Sequence, residues 1–396
     1  MEARQVRGAQ IVEKGGLTQR GDHLWIVPSQ SHGGKWLVDY SSGTATCTCP
    51  DYEENSAFCK HIFAVEIHLG RLSMSDPKAP QKKRYTQDWA AYNLAQVNEE
   101  AHFYHLLHAL CEGIVMKPQT GRGRPKTPLG DAVMACVLKV YAGTSGRRAS
   151  GDIRRGHEGG YLSKHVAYNT VTDYLGDPEM TPLLRTLIQE SAAPLAEVER
   201  AIAIDSSGFG TRNYDRWFDE KWGKTKSRQK FVKLHIATGT KTNVITDAIV
   251  HPGGDAPQFV PLLDGTTKRF KIEEVSADKA YLSKAIVNAV GAIGAVPYIP
   301  FKEGTGGGKK GPALWKKMYG YFMFNREDFD QHYHRRSNVE TTFSMVKAKF
   351  GASVRAKSEV AQANELLCKV LAHNIVVLIS AIYELELQPT FWKKEA

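Results

Sequence analysis

Four side chains that commonly bind metals lie close together near the start of the 396-residue sequence. Cys47 and Cys49 are separated by one residue, and Cys59 and His61 repeat that spacing after nine intervening residues. Three thiolates and one imidazole make a closed tetrahedral ligand set, which is typical of a structural zinc site. Unrelated buried thiols are the alternative, but the other three cysteines are scattered along the chain, at positions 111, 136 and 368. We therefore predict that this cluster binds one structural Zn²⁺.

A second candidate set consists of carboxylates that are far apart in sequence. Asp205 ends the apolar segment 201–205, Asp278 follows the segment 272–277, and Glu340 lies in a basic stretch. Close carboxylates repel one another unless a cation neutralises them. Two Mg²⁺ or Mn²⁺ ions about 3.5–4 Å apart would do so, and such a pair can promote displacement at a phosphodiester. Each acid alone is equally compatible with a turn residue, so the hypothesis depends on the three together.

The stretch around Glu340 has a helical spacing of polar and apolar side chains. At about 100° per residue, Tyr333, Arg336, Glu340 and Lys347 fall on one face about 60° wide. A neighbouring apolar stripe would seat this helix against a core, and it contains Val339, Phe343, Val346 and Phe350. An ordinary solvated helix is the alternative for such a face.

The elements that would position the three acids resemble a mixed α/β sheet. Five segments have the composition of strands, at 201–205, 231–237, 243–250, 272–277 and 295–300, and helical segments fall near 257–264 and 281–291. Three strands, a helix, a strand, a helix and a strand, in that order, predict a mixed sheet. If the first and fourth strands are neighbours, Asp205 and Asp278 meet at one end of the sheet. A helix packed behind that edge could then supply Glu340.

The rest of the chain predicts a multidomain α+β protein. Two short apolar strands, LWIV and KWLVDY, precede the metal-binding spacing and a helix follows it. We predict five parts: a small ββα zinc module at 1–75, a linker and helix with a basic loop at 76–127, a helical region at 128–195, a mixed α/β catalytic domain at 196–355, and a C-terminal helix at 356–396.

Four blocks of this sequence resemble those of a known enzyme family. The spaced quartet Tyr333, Arg336, Glu340 and Lys347 matches the YREK signature of bacterial insertion-sequence DDE transposases. The blocks IDSSGF, KLHIATGTKTNVI and VSADKAYLSKAI resemble that family's other blocks, in the same order. The resemblance covers about residues 200–375.

This resemblance implies a ribonuclease-H-like fold for the catalytic domain. It also implies that three carboxylates ligate two Mg²⁺ or Mn²⁺ ions, namely Asp205, Asp278 and Glu340. The remaining members of the quartet would hold DNA phosphates near the metals, namely Tyr333, Arg336 and Lys347. The cysteine–histidine cluster with its two upstream strands resembles the SWIM zinc finger, a module that accompanies DNA-acting proteins and can also bind protein. Its position before the catalytic domain departs from the commonest members of the transposase family.

Two basic segments outside the catalytic domain are further candidates for DNA binding. Arg122 and Arg124 resemble the core of an AT-hook, which lays arginines into a narrow minor groove; a basic interdomain loop is the alternative. Residues 145–176 are compatible with a helix-turn-helix whose recognition helix covers 163–175. Its phosphate contacts would come from Arg147, Arg148, Arg154 and Arg155. A plain helical bundle with a basic face explains the same residues equally well.

Aromatic residues just before the quartet allow two interpretations. Trp315, Tyr319 and Tyr321 lie among lysines and could stack on a distorted DNA end. The same residues could form a local core, with the lysines on its surface.

The overall charge favours a polyanionic partner. The formal net charge is +10 and the isoelectric point is about 9.1, which points to nucleic acid first and to an anionic membrane second. The N-terminus lacks the apolar core of a signal peptide. The most apolar stretch, 364–385, contains Glu365 and Lys369, which are costly in lipid, so we predict a buried helix rather than a membrane span. We expect a cytoplasmic, nucleoid-associated protein that does not bind membranes.

The family resemblance, together with these patterns, implies a DNA transposase. Its substrates would be double-stranded DNA, both the terminal inverted repeats of its own element and the target. The chemistry would be metal-assisted hydrolysis, followed by attack of the freed 3′-hydroxyl on target DNA. A homodimer or larger oligomer is expected because two element ends must be brought together. A ribonuclease-H-fold nuclease without strand transfer and a domesticated DNA-binding regulator are the alternatives.

Overall fold

The two short apolar segments upstream of the cysteines form neighbouring antiparallel strands in the computed structural model of the chain. The structure describes residues 3–30, 33–55, 58–72, 88–115, 125–211, 231–305 and 311–392. The chain divides into two units, Met1–Gln87 and Asp88–Ala396. Arg122 and Arg124, the predicted minor-groove residues, lie outside the described residues.

The described part of the N-terminal unit is a small antiparallel sheet with helices packed on it. Its elements are α1 (Ala3–Lys14), β1 (Thr18–Gln19), β2 (Leu24–Pro28), β3 (Lys35–Asp39), β4 (Thr46–Cys47), α2 (Pro50–Asn55) and α3 (Lys60–His68). The strands are adjacent in chain order, and each is antiparallel to the next. Alternation along β2 turns Trp25 and Val27 into the core of this unit. The two predicted strands and the helix α3 are present.

Helix α1 is not among the sequence predictions, and tertiary packing explains its presence. Ile11 is the fully buried apolar residue on its inner face, so the apolar stripe of the sequence is narrow. Gly8 approaches α3 so closely that an added Cβ would lie 2.8 Å from the Cβ of Phe63. Gly15 follows the last turn with φ of 73°, a left-handed conformation that ends helices and favours glycine. A small residue at a helix contact is a weak sequence signal, although it allows close packing.

The C-terminal unit begins with helices and continues into a sheet with helices on it. The helices before the sheet are α4 (Trp89–Val97), α5 (Glu99–Glu112), α6 (Leu129–Tyr141), α7 (Gly146–Glu158), α8 (Tyr168–Leu175) and α9 (Met180–Ala192). Then follow β5 (Ala201–Gly210), β6 (Phe231–Gly239), β7 (Ile245–Val250), α10 (Ala256–Thr267), β8 (Glu274–Ala277), α11 (Lys284–Ala292) and β9 (Val296–Tyr298). The last elements are α12 (Ala313–Phe324), α13 (Arg326–Tyr333), α14 (Ser337–Phe350) and α15 (Glu359–Glu384).

Within the described ranges, the strands of this unit form one mixed sheet in the order β7-β6-β5-β8-β9. The β7-β6-β5 half is antiparallel, and the β5-β8-β9 half is parallel. The predicted mixed α/β class is therefore confirmed. The first and fourth strands are neighbours, which is the arrangement that the pairing of Asp205 and Asp278 requires. Ile204 pairs with Ala277 across β5 and β8. Asp205 follows Ile204 and Asp278 follows Ala277, so both acids lie at the same end of the sheet.

The length of β5 corrects one sequence prediction. Asp205 was expected to end this strand, but β5 continues to Gly210. The reason is the antiparallel partner: β6 pairs with β5 from Ile202 through Gly210, beyond the point where the shorter β8 stops. Asp205 therefore lies on a continuous strand rather than on a flexible turn, and its backbone is fixed on the β6 side.

Helix α15 lies in the hydrophobic core that the sheet and the preceding helices share. By length and composition it could span a membrane, and it is the one such helix in the described residues, but 78% of its most apolar window is buried inside the protein. Its polar side chains have partners inside this core. Glu365 accepts hydrogen bonds from the backbone N–H groups of Arg355 and Ala356, and Lys369 donates to two backbone carbonyls after α14. The predicted buried helix is confirmed.

His373, on α15, makes the stability of this core dependent on pH. Its Nε2–H donates to the backbone carbonyl of Asn243 at 2.9 Å. Burial lowers the pKa of His373 from 6.5 to about 4, so the folded protein keeps the ring neutral. Between pH 6.5 and 4 the unfolded chain binds a proton that the folded chain lacks, and stability falls as the pH falls. Each pKa unit corresponds to about 1.4 kcal/mol, which gives a loss of up to about 3 kcal/mol.

We expect His373→Gln, which keeps a donor but does not titrate, to reduce this loss of stability. Urea unfolding at pH 7, 5.5 and 4 measures the free energy of unfolding of both proteins. His105→Gln, at an exposed position of α5, is the control and should follow the wild type. Identical pH slopes for wild type and His373→Gln would contradict the prediction.

Candidate active site and zinc centre

The carboxylate of Asp205 points from one face of β5, and neighbouring groups fix its orientation. The backbone N–H of Ser206 donates to Asp205 Oδ1 at 2.8 Å. Alternation along the strand places Ser207 on the same face as Asp205 and Ser206 on the opposite face. Asp278 starts the 3₁₀ turn Lys279–Tyr281 directly after β8, with extended backbone angles. Two aspartates from adjacent parallel strands therefore flank one edge of the site.

Arg336 connects Asp205 to Glu340. Its Nη1 donates to Asp205 Oδ2 at 3.0 Å, and its Nη2 donates to Glu340 Oε1 at 2.6 Å. Arg336 ends a 3₁₀ turn, and α14 begins at the next residue, so the two acids come from β5 and from the first turn of α14. One guanidinium thus bridges two carboxylates that lie 135 positions apart in the sequence.

The remaining members of the quartet, Lys347 and Tyr333, come from different helices. Lys347 Nζ donates to Ser207 Oγ at 2.7 Å and lies 5.1 Å from the ring centroid of Phe209. Burial lowers the pKa of the Lys347 ammonium. Tyr333 ends α13 rather than lying on α14, so the calculated helical face does not extend to it. The 3₁₀ turn nevertheless brings its ring centroid within 5.8 Å of the Arg336 guanidinium carbon.

The groups around Asp205 act on its pKa in opposite directions. Burial raises the pKa of Asp205, and the charges of Asp278 and Glu340 raise it further. The Ser206 N–H and the Arg336 guanidinium act in the opposite direction. The carboxylates are thus close enough to repel one another, and Arg336 offsets part of that repulsion.

The three carboxylates do not converge on a single point. Among the described residues, the cluster in which three or more Cys, His, Asp or Glu ligand atoms lie close enough to share one metal is Cys47, Cys49, Cys59 and His61. Arg336 lies between Asp205 and Glu340, since each carboxylate contacts a different guanidinium nitrogen.

The opposite face of β5 carries a polar cluster that the sequence analysis does not include. Ser206 Oγ donates to Asp255 Oδ1 at 2.6 Å, and Lys233 Nζ lies 2.6 Å from the same oxygen. His235 Nδ1 is 3.5 Å from it. Asp255 directly precedes α10, so this cluster ties the start of that helix to the strand that carries Asp205. Ser206 pairs directly with His235 across β5 and β6, a register that no local sequence pattern reveals.

The predicted helix-turn-helix differs from the structure in its second helix. The predicted recognition helix covers 163–175, whereas α8 begins at Tyr168. The reason is a contact with another helix: Asp131 accepts hydrogen bonds from the backbone N–H and the hydroxyl of Ser163, at 3.2 and 2.6 Å. These bonds tie residue 163 to α6 outside any helix. Val171 and Leu175 of α8 belong to the same core as the sheet.

The four arginines predicted to contact phosphates lie on α7, and all four are exposed: Arg147, Arg148, Arg154 and Arg155. Arg155 already pairs with Asp152 and with Glu100. Arg147 lies over the ring of Tyr168, with 5.5 Å from its guanidinium carbon to the ring centroid. DNA binding by these arginines stays a prediction.

The aromatic segment before the quartet forms a local core. Trp315 is 5% exposed and packs with Phe301, Met318, Phe322 and Phe329. Tyr319 and Tyr321 pack against this cluster and are partly buried. The interpretation as a core is therefore confirmed for Trp315, which cannot stack on DNA from this position.

The zinc ligands come from three elements of the N-terminal unit. Cys47 ends β4, Cys49 lies just before α2, and Cys59 and His61 occupy the N-cap and the first turn of α3. All four residues are buried, and their ligand atoms lie within 4.8 Å of one another. His61 Nδ1 is 3.8 Å from both Cys47 Sγ and Cys59 Sγ. This nitrogen, rather than Nε2, therefore faces the sulfurs.

The chemistry of this cluster fits Zn²⁺. A hydrogen bond from the Cys47 thiol lowers the pKa of the Cys59 thiol to about 4, and His61 and the backbone N–H of Ile62 act in the same direction. A thiolate is the form that binds zinc, and three sulfurs with one imidazole are a common structural ligand set. The predicted pattern of four ligands is thus present as a preformed, buried cluster.

Two family models match the chain. Residues 196–375 match the transposase DDE domain, and residues 36–70 match the SWIM zinc finger. The chain therefore carries a DDE transposase domain of the ribonuclease-H-like class, preceded by a SWIM zinc finger. The resemblance seen in the sequence is confirmed for both domains, whereas the YREK quartet stays a prediction. No curated protein matches the chain.

The matched domain supports the assignment of this protein as a transposase, an enzyme that acts on DNA. The zinc finger and the Cys/His cluster support bound zinc.

Proposed function

We propose that this chain binds the terminal inverted repeats of its own element, cleaves the DNA at the element ends and joins the freed 3′-hydroxyl to target DNA. The observation that carries the proposal is the convergence of Asp205 and Glu340 on one positive group. Asp278 lies at the end of the adjacent parallel strand. A regulator that only binds DNA needs no such set of acids at a strand end.

The residues at this point fit a divalent metal. Asp205 and Glu340 already offer oxygens to a shared cation, the Arg336 guanidinium, at 3.0 and 2.6 Å. Carboxylate oxygens are the ligands that Mg²⁺ and Mn²⁺ prefer. Asp205, Asp278 and Glu340 would hold two such ions, which when bound activate the attacking oxygen and stabilise the leaving oxygen.

The cations around the carboxylates would hold the DNA. Lys347 contacts the neutral Ser207, and no carboxylate in the described part of the chain forms an ion pair with it. A partly buried ammonium without an anionic partner is a suitable phosphate contact. Arg336 contacts Asp205, which lies two residues before Ser207 on the same face of β5, and the Tyr333 ring lies beside Arg336. Both would position the strand to be cut. We also propose that the protein works as a homodimer or larger oligomer on DNA, in the cytoplasm at the nucleoid.

Cleavage and joining of element-end DNA test this proposal. The full-length protein is incubated with Mg²⁺ or Mn²⁺ and a labelled duplex taken from the DNA that flanks its own gene. We expect nicking at the end of an inverted repeat and, with pre-cut ends, covalent joining to a plasmid. Cleavage without joined products from pre-cut ends would identify a nuclease without strand transfer. Absence of cleavage with either metal, despite specific binding of the ends, would favour the DNA-binding regulator.

A further inference from the structure

Arg336 occupies the position between two acids that the proposed function assigns to a metal. Its guanidinium contacts Asp205 and Glu340 through separate nitrogens, at 3.0 and 2.6 Å. The Arg336 side chain is 21% exposed and that of Asp205 is 23% exposed, whereas that of Glu340 is 60% exposed. Glu340 could point into solvent, so its position beside Arg336 is held by the attraction between the two charges.

Arg336 and a metal ion cannot share these carboxylates without a penalty. Both are cations, and both need the same oxygens, so a metal bound at this point faces a guanidinium at contact distance. Like charges at such a distance repel strongly in a partly desolvated site. The arginine must therefore leave at least one carboxylate before both acids can ligate a metal.

A DNA phosphate is a suitable alternative partner for Arg336. The planar guanidinium binds phosphate through two parallel N–H groups as readily as it binds carboxylate. Arg336 lies at the junction between the turn His334–Arg336 and α14, and Lys347 on α14 supplies a second cation to the same edge. Because Arg336 contacts Asp205 and Lys347 contacts Ser207, a DNA strand along this face of β5 would place a different phosphate near each cation.

We propose that Arg336 and the divalent metal compete for Asp205 and Glu340, and that a DNA phosphate withdraws Arg336 from them. This inference rests on the proposed function, because it takes the carboxylates to be metal ligands. Metal and DNA then bind with positive linkage: DNA raises the affinity for metal, and by reciprocity metal raises the affinity for DNA. The free protein is held in a form that binds metal weakly, so cleavage-competent metal assembles mainly on DNA.

Binding of Mn²⁺, followed by electron paramagnetic resonance on the zinc-loaded full-length protein, tests this linkage without any cleavage. We expect Arg336→Gln to bind Mn²⁺ about tenfold more tightly than wild type in the absence of DNA, within the usual range of coupling between sites. Element-end DNA should tighten Mn²⁺ binding to wild type by a similar factor and to Arg336→Gln by much less.

Arg335→Gln is the matched control, because it removes the same charge from the neighbouring residue. Arg335 pairs with Glu274 at 2.7 Å instead of with the two acids, so its substitution should leave Mn²⁺ affinity close to that of wild type. Thermal melting of each variant checks that the fold is intact. If Arg335→Gln and Arg336→Gln increase the Mn²⁺ affinity equally, the increase comes from net charge alone and the proposal is overturned.

The experiment separates failure of this inference from failure of the proposed function. One outcome is that Asp205→Asn removes Mn²⁺ binding from the DNA complex while Arg336→Gln shows no increase in Mn²⁺ affinity without DNA. In that case Arg336 does not compete with the metal, but the acids are still metal ligands. If Mn²⁺ binding to the DNA complex is insensitive to Asp205→Asn, the acids are not metal ligands and the proposed function fails as well.

Discussion

Asp205→Asn is expected to abolish cleavage of element ends, with a rate at least about 10³-fold lower than that of wild type. The substitution keeps the size of the side chain and its hydrogen bond from the Ser206 N–H, but it removes the charge that attracts a metal. Metal ions stabilise charge in the transition state by several kcal/mol, and each 1.4 kcal/mol is about tenfold in rate. Asp278→Asn and Glu340→Gln should have effects of the same order. Without added divalent metal, DNA binding should change by no more than a few-fold.

The assay is cleavage of a labelled end duplex by purified full-length protein with Mn²⁺, alongside a gel-shift measurement of binding. Asp264→Asn is the matched control, since it makes the same chemical change at an exposed position of α10 and should cleave normally. Normal cleavage by any one of the three carboxylate variants would contradict the assignment of these residues.

Loss of the zinc ligands is expected to unfold the N-terminal unit. Cys47, Cys49 and Cys59 are themselves part of the small apolar core of that unit, together with Trp25, Val27 and the inner face of α3. Apparent binding free energies of structural zinc sites are about 10–16 kcal/mol, and this energy is largely folding energy. A core of this size has little other stabilisation to replace it. Cys47→Ser combined with Cys59→Ser should therefore bind no zinc and expose the unit to proteolysis.

Metal analysis of the full-length protein should find about one zinc per wild-type chain and essentially none in the double variant. Limited proteolysis then reports on the unit itself. Cys136→Ser is the control, because Cys136 lies in the helical core, where its sulfur is 3.7 Å from the backbone carbonyl of Val171, and it should retain zinc. A double variant that still carries one zinc would exclude these cysteines as ligands.

Much of the catalytic domain could be predicted because local patterns specify it. The strand segments, the helices between them and the zinc-ligand spacing all depend on residues that are near one another in sequence. Asp205 and Asp278 could be paired because a parallel neighbour places equivalent strand ends side by side. The length of β5 and the start of α8 could not be predicted, because they depend on residues that are distant in sequence. These partners are the extended β6 ladder and Asp131, which binds Ser163.

The sequence by itself determined which side chains are available and in what order they occur. It specified the Cys/His spacing, the order of strands and helices along the chain and the quartet from Tyr333 to Lys347. Only the tertiary structure decided that Arg336 lies between Asp205 and Glu340, that Tyr333 joins the site through a 3₁₀ turn, and that Ser206 is tied to Asp255. The physical reason is that ion pairs form between groups that the fold brings together. Residues that pair across a long sequence separation leave no periodic pattern in the sequence.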